Sequence, residues 1–442
     1  MFRRILIANR GEVAARVART CRRMGVEVIA AVADPDADLQ WLAAVDGVAR
    51  IGGPRAYLDA DAIIAAAREH RCSAVHPGWG FLSENTRFAA RCEAARVTFV
   101  GPSPSAIRRM GDKAVAKSTM QALGLPLIPG SDGALADVAE ARRVAEAVGF
   151  PVLLKARSGG GGRGMRRVYA GDQLAAAFSE ATAEAEGAFG DGALYLEKLI
   201  ESGRHVEFQV MGDKHGNLVH LGERECSVQR RHQKLLEESP SPALTAADRE
   251  RVGSMVADAC RRAGYHGAGT VEMLRDDAGN LYFMEMNTRL QVEHPVTEMV
   301  TDLDLVELQL RVACNEVVRP AVQAHGHAIE CRINAEDPDQ EFRPAPGRVT
   351  ALDFPTGQGV RVETHLRSGD TISPHYDSMI AKLIVHAADR PGAIDKMEAA
   401  LKATRVKGVP TTIALHRRIL ADVRFRAGTY DTSFLPSLLA GR

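Results

Sequence analysis

The 442-residue sequence has no surplus of either charge: 56 Lys and Arg stand against 56 Asp and Glu. That balance offers no electrostatic case for nucleic acid or an anionic membrane, and leaves only a local basic site open. Cysteine is sparse and scattered, seven in all, an odd number with no C-x-x-C pair. The spacing argues against a disulfide framework and points to reduced, mostly buried thiols in a cytoplasmic protein. Long apolar runs are missing too. The opening MFRRILIANRGE is too short in its apolar stretch for a signal peptide, and no later run approaches membrane-spanning length. There is no internal repeat, no low-complexity linker and no G-x-x-x-x-G-K-[ST] phosphate loop.

What is present is a globular composition, 45% apolar and 25% charged, over a length beyond one hydrophobic core. Two or three lobes are expected. Over residues 1–110 strand and helix signals alternate: a buried strand at 5–8, a turn at Asn9-Arg10-Gly11, a helix from Glu12 and a strand at 26–32. A helix capped by Ser83 and a strand at 97–100 continue the pattern, which argues a parallel, doubly wound sheet. A strand-rich stretch follows from about 192, and a third region runs from about 326.

Ser158 to Gly164, SGGGGRG, contains G-x-G-x-x-G, yet the next residues, Met165 to Tyr169, read as a strand. A dinucleotide loop needs a helix there. A glycine hairpin between strands can instead fold over phosphates, with Lys155 reaching the same anion, or be simply flexible. In EMNTRLQVEHP (285–295), Glu285, Asn287, Arg289 and Gln291 share strand parity. The strand Thr270 to Leu274 carries Glu272, expected roughly opposite Glu285 across the turn DDAGN. Two carboxylates and an amide oxygen suit Mg²⁺. Arg289 can grip a small planar anion, and Glu293 is placed to act as a base. The bland alternative is an exposed amphipathic strand. Gln229 to Lys234, QRRHQK, is either a solvated loop or an anion clamp, and His205, sharing parity with Glu207, is structural or functional.

IANRGE (7–12), HPGWGFLSEN (76–85), MGDK (110–113), KARSGGGGRGM (155–165), RHVEFQV (204–210), ERECSVQRRHQK (223–234), EMNTRLQVEHPVTE (285–298), ECRINAEDP (330–338) and YDSMIAKL (376–383) occur in this order. Together they resemble the biotin carboxylase family of the ATP-grasp superfamily over nearly the whole chain. The resemblance implies an α/β and α+β fold. A Rossmann-like N-terminal lobe (1–112) and a mixed α/β C-terminal lobe (326–435) frame an ATP-grasp module (113–320) with a mobile lid at about 130–203. It places Lys113, Lys155, Gly159, Gly160, Gly161, Gly162, Gly164, Met165, Glu197, His205, Gln229 and His232 around ATP. It implies Glu272, Glu285 and Asn287 as ligands of Mg²⁺ (or Mn²⁺), and Lys234, Arg289, Gln291 and Val292 as the bicarbonate site. Glu293 would be the base and Arg332 would face biotin, with Lys234 and Arg289 also catalytic. Trp79 stands where the family commonly has Tyr, which leaves the biotin pocket less defined.

The implied activity is ATP- and bicarbonate-dependent carboxylation of biotin through carboxyphosphate. No Ala-Met-Lys-Met biotin-attachment signal occurs, so a biotin carboxyl carrier protein and a carboxyltransferase are expected as separate chains. A homodimer is expected by analogy. The acceptor stays open between acetyl-CoA, propionyl-CoA, another acyl-CoA, pyruvate and urea. Two rival readings are another ATP-grasp carboxylate ligase and a non-catalytic nucleotide-binding regulatory subunit.

Overall fold

Ile5, Leu6 and Ile7 have no polar side-chain atom, and in a computed structural model of the chain all are fully buried. The structure describes residues 1–157, 164–320 and 322–441. These apolar residues form β1 (Arg4–Ile7), the centre of a parallel sheet with β2 (Glu27–Ala33), β3 (Gly47–Gly52), β4 (Ala74–His76) and β5 (Thr98–Phe99). The order β3-β2-β1-β4-β5 is that of a doubly wound sheet, as the alternation predicted. The helix expected from Ser83 begins later, at Thr86. Asn85 caps it, its side chain accepting from the Phe88 N–H at 2.9 Å. An amide oxygen caps as well as a hydroxyl, so composition alone left the boundary two residues adrift.

The chain divides into two compact units. The smaller holds Pro126–Gly203 and Asp276–Met284. Its antiparallel sheet contains β6 (Val152–Ala156), β7 (Met165–Val168) and β8 (Leu194–Lys198), in the order β7-β6-β8. Val152, Leu154, Val168, Leu194 and Leu196 pack with small residues of the helices Val138–Val148 and Leu174–Phe189. β6 and β7 pair from Val152↔Val168 to Lys155↔Met165. The glycine segment therefore joins strand to strand and not strand to helix. Gly159, Gly160, Gly161 and Gly162 themselves lie outside the described residues.

The larger unit holds the parallel sheet and a second, mainly antiparallel one. The latter contains β9 (Arg204–Gly212), β10 (Leu218–Arg230), β11 (Gln233–Ser239), β12 (Gly267–Arg275), β13 (Leu281–Asn287), β14 (His327–Asn334), β15 (Val360–Thr364) and β16 (Met379–Ala387). Only Glu285–Asn287 of β13 belong to this unit. The order is β13-β12-β9-β10-β11-β14-β16-β15. β9 reads RHVEFQVMG and every residue is buried. Alternation gives it an apolar face (Val206, Phe208, Val210) and a polar one (His205, Glu207, Gln209). A fully buried polar face must be satisfied internally.

Arg224 of β10 does much of this. Its guanidinium donates to Glu207 at 2.6 Å, Gln209 at 2.8 Å, Thr297 at 2.9 Å and Thr270 at 3.1 Å. One side chain thus ties β9, β10 and β12 to the helix His294–Thr301. Further along, Glu238 of β11 accepts from His327 at 2.6 Å, from Arg390 at 2.7 and 3.0 Å, and from the Tyr430 hydroxyl.

Arg224→Met removes one of the two cations on buried Glu207 and leaves Gln209, Thr270 and Thr297 without their donor, and is expected to lower stability by about 3 kcal/mol in urea denaturation. Arg224→Met with Glu207→Gln should recover part of that loss. Burial alone would raise the Glu238 pKa, but His327 and Arg390 overcome it and hold the group at about 2. Its contribution is fully present above the unfolded carboxylate pKa of about 4.3 and is lost as pH falls towards about 2. Glu238→Gln should therefore lower the melting temperature most near neutral pH, with the gap from the native chain closing in acid.

Candidate active site

Strand register assembles the first cluster. Glu272 of β12 lies directly across from Glu207 of β9, and Glu207 across from Arg224 of β10. Lys234, near the start of β11, projects into this row. Its ammonium lies 2.5 Å from Glu207, 3.0 Å from Glu272 and 2.7 Å from Glu293. Three carboxylates around a buried ammonium raise its pKa well above the ordinary lysine value, although burial works against that. The sequence pattern QRRHQK left clamp and solvated loop open. The structure separates its members: Lys234 is inside, while Arg231 and His232 are exposed at the turn with positive φ.

The segment 285–293 behaves differently from the simple strand expected. β13 stops at Asn287, and the residues beyond it turn. Parity therefore fails at Arg289 and Gln291, but the fork of Arg289 regathers the polar groups. Nη2 donates to Asn287 Oδ1 and Nη1 to Gln291 Oε1, both at 3.1 Å, and Nε donates to Glu84 at 2.8 Å. Asn287 Nδ2 donates to Glu272 at 2.9 Å. The carboxylate of Glu285 meets Lys113 at 3.0 Å.

Glu293 is fully buried at the N-terminus of the helix His294–Thr301, where a negative charge is favoured. One oxygen faces Lys234; the other accepts from Arg332 Nη2 at 3.0 Å. Burial would raise its pKa, but Lys234, Arg332 and Arg224 overcome that and hold it well below the carboxylate range. Arg332 also donates from Nε to Glu237 at 2.6 Å. Glu330, across from Glu237 in the β11–β14 register, is fully buried with no hydrogen-bond partner, and burial pushes its pKa well up.

His205 completes the group, with Nε2 at 3.2 Å from Glu272 and Nδ1 at 2.9 Å from the side chain of Gln229. Lys234, His205, Gln229, Glu272, Asn287, Arg289, Gln291, Glu293 and Arg332 thus form one connected network, and Val292 joins Gln291 to Glu293. Lys113 and Glu285 make a separate pair. In the smaller unit, Lys155 of β6 pairs with Glu197 of β8, and Met165 opens β7. The Gly164 N–H donates to Glu184 at 3.2 Å.

Sequence reading gave no role to Glu84, Arg224, Glu237 or Lys382. Only Lys382 carried a clear signal, interrupting the apolar run MIAKLIV. A charge in such a run needs a buried partner.

Glu272, Glu285 and Asn287 offer two carboxylates and an amide oxygen, the hard donors that suit Mg²⁺ or Mn²⁺. Burial would raise the Glu272 pKa, but Lys234 and His205 lower it far more and keep it ionised. Asn287 donates through Nδ2 to Glu272, and its Oδ1 accepts from Arg289. By donor type these residues fit a hard divalent cation, with Glu285 paired to Lys113 at 3.0 Å.

Three family models match this chain end to end. They are the N-terminal domain of biotin carboxylase (residues 1–107), the ATP-binding domain of the carbamoyl-phosphate synthase L chain (112–320) and the biotin carboxylase C-terminal domain (330–437). A biotin carboxylase of Nostoc sp. is 50% identical, covering 99% of both chains. The small subunit of 2-oxoglutarate carboxylase from Hydrogenobacter thermophilus is 48% identical over 98% of this chain and 93% of that one. A crystal structure of the biotin carboxylase domain dimer from that enzyme, with MgADP, ADP and bicarbonate, superposes with a TM-score of 0.91. It is 47% identical and covers 99% of both chains. With its parallel-sheet N-terminal lobe and ATP-grasp fold, the chain belongs to the biotin carboxylase family.

Proposed function

We propose that the network around Lys234 carries out the first half-reaction of a biotin-dependent carboxylase: Mg-ATP and bicarbonate carboxylate biotin through carboxyphosphate. One observation carries the assignment of residues. Lys234, Arg289 and Gln291 bring an ammonium, a planar fork and an amide beside a buried carboxylate, Glu293. That is a receptor for a small planar oxyanion next to a base.

Bicarbonate is a poor nucleophile and the triphosphate repels it. Lys234 and Arg289 offset that repulsion and orient the anion. A divalent cation held by Glu272, Glu285 and Asn287 would neutralise charge on the phosphates. As a bicarbonate oxygen attacks the γ-phosphorus, Glu293 takes the bicarbonate proton and the bond to ADP breaks. With its cations in place Glu293 is too weak a base. Bicarbonate drawing on Lys234 raises its proton affinity at the moment the proton must move. Carboxyphosphate then separates into CO₂ and phosphate. Phosphate accepts the ureido proton of biotin, Arg332 stabilises the resulting enolate-like oxygen, and the nitrogen attacks CO₂.

The nucleotide contacts of Lys113, Lys155, Gly164, Met165, Glu197, His205, Gln229 and His232 belong to the same reading, as do the lobes 1–112, 113–320 and 326–435 with a lid at about 130–203. Biotin is proposed to arrive on a separate carrier protein, with the carboxyltransferase on another chain. A full-length relative that is itself called a small subunit supports this. A homodimer is proposed on the precedent of the H. thermophilus domain dimer. No helix among the described residues is long and apolar enough to cross a membrane. Seven free cysteines support a cytoplasmic location. Relatives named for 2-oxoglutarate and pyruvate leave the acceptor open, from an acyl-CoA to a 2-oxo acid.

ADP release from Mg-ATP should require bicarbonate and rise with free biotin. A different ATP-grasp ligase would ignore bicarbonate, and a regulatory subunit would release nothing. Arg289→Ala and Glu293→Gln should each cut bicarbonate-dependent ADP release by about 100-fold, the usual scale for losing one such contact. Near-normal rates would overturn the assignment. Arg332→Met should lose biotin carboxylation to a greater degree than bicarbonate-dependent ADP release, and equal losses would remove Arg332 from the biotin step.

A further inference from the structure

Lys382 has no exposed surface. It lies in β16, MIAKLIVHA, where an unpartnered ammonium is strongly unfavourable. Its Nζ donates to the carbonyl oxygen of Val292 at 2.6 Å and stands 3.1 Å from Oε2 of Glu12. Glu12 is buried as well, and its Oε1 accepts from the indole N–H of Trp79 at 3.1 Å. The Glu12 contact is a close ion pair. The ammonium is aimed at the carbonyl.

That carbonyl belongs to the peptide that precedes the proposed base. Across a planar trans peptide, fixing the Val292 carbonyl also fixes the Glu293 N–H and hence its Cα. Glu293 sits 2.7 Å from Lys234 and 3.0 Å from Arg332, so a small rotation of this peptide would break both contacts. The ammonium carries three donors, and one of them is committed to this carbonyl.

We propose that Lys382, oriented by Glu12 and Trp79, is a positioning residue that holds the Val292–Glu293 peptide in the geometry bicarbonate requires. The inference rests on the reading of 289–293 as the bicarbonate segment. It gives Trp79 a job that a tyrosine would do differently: the indole only donates, so Glu12 must accept. Burial pushes Glu12 upward, and Lys382 opposes that.

The test separates charge balance from positioning. Lys382→Met alone leaves Glu12 buried and unpaired and should lose thermal stability. Lys382→Met with Glu12→Gln removes both charges and should regain it. In that double variant the KM for bicarbonate should stay raised by about tenfold, the scale of one lost charge-assisted hydrogen bond, with the KM for ATP unchanged. A native bicarbonate KM there, or a fall in kcat alone, would overturn the proposal. Trp79→Phe should raise the bicarbonate KM by a smaller factor. If the double variant fails to fold, Trp79→Phe decides, and a native KM there overturns the relay. Glu293→Gln is run alongside. If it keeps bicarbonate-dependent ADP release, the underlying reading fails; if it loses it while the double variant has a native KM, only the Lys382 inference fails.

Discussion

The ammonium of Lys234, held among Glu207, Glu272 and Glu293, is the contact on which the rest depends. Three carboxylates this close would not all stay ionised in a buried site without it. With it, and with Arg332 behind, the carboxyl groups of Glu272 and Glu293 are held below the usual carboxylate range. The arrangement also pins the sheet. Glu272↔Glu207 and Glu207↔Arg224 are direct cross-strand partners. A slip of one residue would turn each charge into the face occupied by Val206, Phe208 and Val210. Pairing of charges and choice of register are therefore one constraint.

Most of the network's charged groups are paired among its own members, while Gln291 Nε2 is buried without a hydrogen-bond partner. Every arm of Arg289 is engaged, by Glu84, Asn287 and Gln291. An incoming anion must replace protein oxygens with oxygens of its own, at similar distances and in the same plane. A small planar oxyanion does this; a bulkier carboxylate brings apolar atoms among charged groups that already have partners. Selectivity thus comes from the partners that must be displaced as much as from those that attract. Burial pushes the pKa of Glu330, beside Glu237, well up.

The sequence made the architecture legible where periodicity is strong and the site legible where several chemistries crowd one segment. β1 and the helix Gly11–Arg23 followed from an apolar run and a turn, and Met165–Val168 proved a strand as its residues suggested. The parity of 285–291 grouped Asn287, Arg289 and Gln291, which do meet, with Glu285, which pairs separately with Lys113, and it did so by a wrong geometry. β13 ends at Asn287, and a long flexible guanidinium, not strand alternation, brings Asn287 and Gln291 together. The roles of Glu207, Arg224 and Glu237 were hidden for another reason. Their meaning lies in registers between strands far apart in sequence, and a single strand's pattern does not encode its neighbour's offset.

The same physics explains why three matched stretches of sequence make two compact units. Arg332 lies across from Lys382, and Lys382 across from Glu363, so the charged face continues over β14, β16 and β15. Arg361 bridges Glu363 and Glu298 at 2.7 Å each, and Arg16 bridges Glu298 at 2.8 Å and Asp304 at 2.9 Å. Glu12 and Arg16 stand one turn apart on the helix Gly11–Arg23, and both reach this layer. The N-terminal helix is thereby braced to C-terminal strands by buried ions that neither part could satisfy alone. Separating these lobes would strand Glu12, Arg16, Glu298, Glu363 and Lys382 at once, at several kcal/mol for each unpaired charge. That cost is why the N- and C-terminal stretches fall in one compact unit.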